Sequence, residues 1–143
     1  MFEFIDYICN ILEIEKPSIK LSSTKLNNDT MLAMISPCEN ILYIKDNIRG
    51  MDQLFSIAHE LRHLWQFKTD KEYFFSNYMG VEDANSIDEY NLQIAEIDAN
   101  AFAEIVITDL YGVKPLYRGL SNQVKQRIMD RIGELVKIGL TQK

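Results

Sequence analysis

The chain holds only two histidines, and they stand four residues apart with a glutamate after the first: His59-Glu60-Leu61-Arg62-His63. In a helix, residues i and i+4 share a face, so both imidazoles can reach one point in space. Imidazole nitrogens and a carboxylate suit a catalytic zinc ion, whose remaining coordination position is open to water. Glu60 is one residue beyond His59, turned by about 100° around the helix axis. That sets it beside a bound ion rather than on it, where it can act as a general base toward water. The flanking residues support a helix, because Leu54, Phe55, Ala58, Leu61, Leu64 and Trp65 recur at helical spacing. The competing reading is a pair of ordinary histidines on an amphipathic helix.

Two histidines need a third protein ligand. The stretch Glu96-Ile97-Asp98-Ala99-Asn100-Ala101-Phe102-Ala103 offers two carboxylates. Two residues apart on a helix, Glu96 and Asp98 face nearly opposite ways, so only one can serve. Glu96 shares its face with Leu92, Asn100 and Ala103, with Ala99 beside it. Those small residues let this helix come close to the histidine helix, so Glu96 is the expected ligand and Asp98 the alternative. Asn100, one turn on, can hydrogen-bond a ligating histidine and hold its ring. Asp98 reads as a buried acceptor behind the site or as a solvated charge. Gln66, three residues after His63 on the ligand face, is grouped with Asn100 and Asp98 behind the ligands and reads as a contact to substrate or water, or as a polar residue at the helix rim. Arg62 reads as a solvated surface charge, with a carboxylate partner on a neighbouring helix as the alternative. A tetrahedral oxyanion needs a hydrogen-bond donor. With no third histidine, a tyrosine is the candidate: Tyr90 first, with Tyr73, Tyr78, Tyr111 and Tyr117 as competitors.

The pair of motifs, His-Glu-Leu-Arg-His and then Glu-x-Asp-Ala-Asn-x-Phe-Ala, resembles the gluzincin metallopeptidases, and within them the ImmA/IrrE family. The resemblance implies a zincin-like fold with one zinc ion, Glu96 as third ligand and Glu60 as catalytic base. It also implies a protein or peptide substrate, such as a regulatory protein of a bacterium or mobile element. Asp98 stands where that family has glutamate, and Ile107-Thr108-Asp109-Leu110 replaces its Leu-Leu-Met-Pro-like stretch. By the same likeness, an extended substrate adds to a sheet edge at 31–35. The expected activity is zinc-dependent peptide-bond hydrolysis. The alternative is a non-catalytic zinc-binding domain that serves as a protein-interaction module.

At 143 residues the chain fits one domain, 1–143. With 47% hydrophobic and 25% charged residues it can build a core rather than remain disordered. The net charge is −6 and the lysines and arginines do not cluster, which argues against nucleic acid as a partner. No apolar run approaches a membrane span, and the N-terminus is acidic where a secretory signal is basic. The expectation is a cytoplasmic protein with Cys9 and Cys38 as free thiols; Cys38 as a fourth, blocking ligand is the less favoured role. Oligomeric state is left open by the sequence.

The pattern predicts an α+β fold, with a small three-stranded sheet followed by an active-site helix and a helical C-terminal part. Residues 2–14 form a helix ended by Pro17. Strands follow around Ile19 and Leu21, over Met31 to Ile35 and over Ile41 to Ile44, the last two joined by a hairpin loop at 36–40. Asp52 caps a helix to about Phe67. A polar stretch over 69–87 with one short helix leads to a long helix over 88–111, stopped by Gly112. Its aromatic segment at 73–78 reads as cleft wall or, for Phe74 and Phe75, as core. Ser121 caps the last helix, with Val124, Ile128, Ile132 and Leu135 as its apolar stripe.

Overall fold

The N-terminal helix α1, Phe2–Leu12, buries Phe4, Ile5, Ile8, Cys9 and Leu12 along one face. It stops two residues short of the predicted end, and not at Pro17. Glu13 turns left-handed at φ 54°, and the Ile14 N–H closes back onto the Cys9 carbonyl at 3.0 Å. Ile14 then packs on the same core as the helix, the apolar contact that accompanies such a cap. These features come from a computed structural model, which describes residues 1–26, 30–46 and 50–143.

Three strands form one mixed sheet. β1 is Ser18–Leu21, β2 Ala33–Ser36 and β3 Ile41–Ile44, in the order β1-β3-β2. β3 lies in the centre, parallel to β1 and antiparallel to β2, with Ile35 opposite Leu42. Leu42 and Ile44 are fully buried beneath the helices. Asn40, at φ 56°, closes the hairpin by bonding its N–H to the Pro37 carbonyl, so a left-handed residue makes this turn.

Helix α2, Met51–Phe75, crosses this sheet and carries both histidines. Its cap is Gly50, not Asp52, which lies in the first turn without a capping bond. The helix also runs past Phe67. It kinks at Asp70, where φ is −154°, and Asp70 Oδ1 accepts the Tyr73 N–H at 2.9 Å. Asp70 thus caps a second helical stretch, which begins the segment over 69–87 expected to hold one short helix, and joins it to α2. Phe74 enters the core, Phe75 packs against it, and Tyr73 stays exposed.

The predicted long helix is two helices, α3 Ile87–Asn91 and α4 Ile94–Tyr111. Gln93 breaks them. Its backbone is extended, its Nε2 donates to the Met79 and Tyr90 carbonyls, and its Oε1 accepts the Met79 N–H at 2.7 Å. This amide stitches the preceding loop to the helix start, a tertiary gain that outweighs helical continuity. Gly112, at φ 66°, ends α4. Ser121 accepts the Val124 N–H and starts α5, Asn122–Ile138.

α4 is buried between α2 and α5. Ala95, Phe102, Ala103 and Val106 join the main core, while Ile97, Ala101 and Ile105 meet Val124, Ile128 and Leu135 of α5. Ala95, Ala99, Ala101 and Ala103 are fully buried, and their small side chains let α4 lie close against its neighbours. The result is an α+β fold in which the start of α4 faces the middle of α2.

Candidate metal centre

One turn of α2 separates His59 from His63, and their rings meet nearly edge to face, with centroids 4.6 Å apart. The two Nε2 atoms stand 3.0 Å apart. Glu96, in the first turn of α4, is 3% exposed and points at both. Its Oε2 lies 3.2 Å from His59 Nε2, and its Oε1 lies 3.2 Å from His63 Nε2. Among the described residues these three side chains form a cluster able to hold a metal ion.

The hydrogen bonds behind the rings decide which nitrogens face inward. His59 Nδ1 lies 2.9 Å from Asn100 Oδ1, and His63 Nδ1 lies 2.7 Å from Gln66 Oε1. Both partners are amide oxygens, which only accept, so each Nδ1 carries the proton. In neutral rings both Nε2 lone pairs then converge beside a carboxylate. Such an arrangement repels itself unless a cation lies within it. Zinc ligands about 2.0–2.1 Å from the ion stand roughly 3.3 Å apart in a tetrahedron. The observed 3.0 and 3.2 Å separations fit that requirement.

The electrostatics carry the same message. Burial opposes charge on His63, but the hydrogen bond and charge of Glu96 outweigh it and push the imidazole up to about 9. Burial likewise opposes charge on Glu96, and the two histidines hold it well below the usual carboxylate range. The pocket thus favours positive charge at its centre. In metal-free protein, a raised histidine pKa contributes stability that is complete below its ordinary value of 6.5. That contribution is lost as pH rises through about 9. Thermal melts of chelator-treated protein across this window are expected to show the midpoint falling as pH rises.

Glu60 lies beside the cluster, and its Oε2 accepts the Ile35 N–H of β2 at 3.1 Å. Glu60, both histidines, Glu96, Phe75 and β2 line a cleft of about 760 Å³. Tyr90 and Tyr78 line it as well. Both hydroxyls reach Glu96 Oε1, at 2.9 Å for Tyr90 and 2.5 Å for Tyr78, and they lie 3.2 Å apart. Burial and the Glu96 charge raise both phenols, so they remain protonated donors. Tyr90 belongs to α3 rather than to the helix of Glu96. Tyr78, one of the competing tyrosines, comes from the loop before α3, and loop geometry rather than helical spacing brings it here. Of the other tyrosines, Tyr117 bonds Glu104, while Tyr73 and Tyr111 are exposed on ring contacts elsewhere.

Asp98 turns away from the histidines. It accepts Arg62 Nε at 2.7 Å and Nη2 at 3.0 Å, Gln66 Nε2 at 2.8 Å and Arg131 Nε at 2.9 Å. Burial works against its charge, but the Arg62 guanidinium holds it below the usual range. Arg62 is fully buried, which overturns its reading as a solvated charge. Its guanidinium packs 3.8 Å over the Trp65 ring, a surface that also desolvates it. Gln66 is fully buried too and touches neither rim nor cleft. Leu92 lies outside α4 because of the Gln93 break, so it shares no helix face with Glu96. Cys38 is exposed and Cys9 is buried, with burial pushing its thiol up to about 11.

A three-stranded sheet crossed by a His-x-x-x-His helix, with a glutamate supplied from a later helix, defines a zincin-like domain of metallopeptidase type. The chain belongs to the IrrE N-terminal-like family, whose model matches residues 14–115. That span holds the sheet, α2, α3 and α4, and ends before α5. No curated protein and no solved structure matches the chain.

Proposed function

We propose that the chain is a zinc-dependent peptidase, with His59, His63 and Glu96 as metal ligands and Glu60 as general base. One observation carries this reading: two Nε2 lone pairs and a carboxylate converge in the wall of an open cleft, with a second carboxylate beside them. A zinc ion held there would supply Lewis acidity, acidifying water to a pKa of about 7 and polarising a carbonyl oxygen. Glu60 accepts the proton of the attacking water and passes it to the leaving amine. The Ile35 N–H orients its carboxylate for that exchange. Tyr90, with Tyr78 beside it, is the candidate donor to the developing oxyanion. Asn100 and Gln66 hold the two rings in the metal-binding tautomer.

β2 is an edge strand that lines the cleft, so an extended polypeptide can add to it as a further strand. Membership of this family supports a protein substrate, with a regulatory protein of a bacterium or mobile element as the specific choice. No helix among the described residues is long and apolar enough to cross a membrane. A non-catalytic zinc module would leave Glu60 without a chemical task.

Purified protein is expected to carry about one equivalent of zinc by mass spectrometry, and His63→Ala to lose most of it. Zinc-loaded protein, unlike chelator-treated protein, is expected to generate new N-termini in a peptide library. Wild-type protein without stoichiometric metal would sink the proposal.

A further inference from the structure

We infer that α5 and the C-terminal tail, which lie beyond the family match, position the metal ligand His63 through Arg131, Asp98 and Gln66. This rests on the metal reading above. The connection is a continuous chain of short hydrogen bonds. His63 Nδ1 meets Gln66 Oε1 at 2.7 Å, and Gln66 Nε2 meets Asp98 Oδ2 at 2.8 Å. Asp98 Oδ1 takes Arg131 of α5 at 2.9 Å. The tail closes the network from the other side. The Leu140 carbonyl accepts Arg62 Nη1, and the Gln142 carbonyl accepts Arg131 Nη2 at 3.2 Å.

The chemistry gives this chain a task. A glutamine amide can present either oxygen or nitrogen to its neighbour. Asp98 is anionic and only accepts, as does the Ala95 carbonyl 3.0 Å away, so together they fix Nε2 toward themselves. That leaves Oε1 for His63, which fixes the proton on Nδ1 and the lone pair on Nε2. A reversed amide would place N–H groups against Nδ1, move the ring proton to Nε2 and remove a ligand. Arg62 bonds both oxygens of Asp98, Gln66 shares one of them and Arg131 the other, so the arginine from α5 acts with Arg62 to hold the carboxylate in the pose that Gln66 needs.

The test compares Arg131→Gln with Leu135→Ala in the full-length chain. Leu135 is a fully buried core residue of the same helix with no part in the network. Zinc affinity is measured by competition with a chelating dye, and cobalt-substituted protein is examined by its visible absorption. Arg131→Gln is expected to weaken zinc binding about tenfold or more and to alter the cobalt spectrum, as loss of a group behind a ligand does. Arg131→Lys should restore part of the affinity, since one charged donor remains. Leu135→Ala is expected to lower stability while leaving the spectrum and affinity near wild type. Equal zinc affinity in Arg131→Gln and wild type would overturn the inference, as would an equal loss in Leu135→Ala. If Arg131→Gln does not fold, Arg131→Met, which keeps the apolar stem and removes every donor to Asp98, carries the same comparison. Absence of zinc from wild-type protein would remove the metal reading along with it, whereas zinc bound equally by both proteins removes this inference alone.

Discussion

Glu60→Gln is expected to lower peptide hydrolysis about 10²–10⁴-fold, the usual contribution of a positioned acid–base group. By transition-state arithmetic that is roughly 3–5 kcal/mol of barrier. The substitution changes little else. A glutamine side-chain oxygen can still accept the Ile35 N–H that Glu60 accepts now. It cannot take a proton from water at neutral pH. His59, His63 and Glu96 keep their mutual geometry, so metal content should match wild type. The measurement is cleavage rate and zinc stoichiometry on the same preparations. Undiminished cleavage with zinc present would remove Glu60 from the mechanism, and loss of zinc would make it a structural residue.

Asp98→Ala is expected to cost about 3–5 kcal/mol of stability, the penalty for leaving one member of a buried ion pair alone. Total stability of a domain this size is on the order of 5–15 kcal/mol, so the loss is severe. Arg62 and Asp98 are 0% and 1% exposed. Without Asp98 the Arg62 guanidinium keeps the Leu140 carbonyl and the Trp65 face, neither of which carries a full negative charge. Gln66 loses an acceptor at the same time. A drop of roughly 10–20 °C in the melting midpoint follows from the ordinary relation between stability and midpoint. Chelator-treated samples isolate this effect, because bound metal would add its own stabilisation. A shift of only a degree or two would mean that Arg62 finds water when its partner is gone.

Much of the architecture was legible because it depends on local period. The His59–His63 spacing needs only a helix, and the apolar residues around it supply one. Three strands, the hairpin at 37–40, the stop at Gly112 and the Ser121 cap all follow from short-range chemistry. The opposed faces of Glu96 and Asp98 are equally local, and the structure turns one to the histidines and the other to Arg62. What escaped the sequence has long-range causes. The break before α4 exists because the Gln93 amide binds Met79, fourteen residues away in sequence. Tyr78 reaches Glu96 only through the course of the intervening loop.

Residue type misled most at Arg62, where charge suggested water. Burial there depends on Asp98, thirty-six positions on in sequence, and on the tail carbonyl of Leu140. Periodicity alone determined that this chain has a helix able to offer two imidazoles to one point, and a later helix able to offer a carboxylate. Tertiary packing decided whether those faces would meet, which tautomer each ring would hold, and how a buried arginine would be neutralised. The division has one physical source. Helical phase is a property of neighbouring residues, whereas desolvation and hydrogen-bond partnership depend on what the rest of the chain brings alongside.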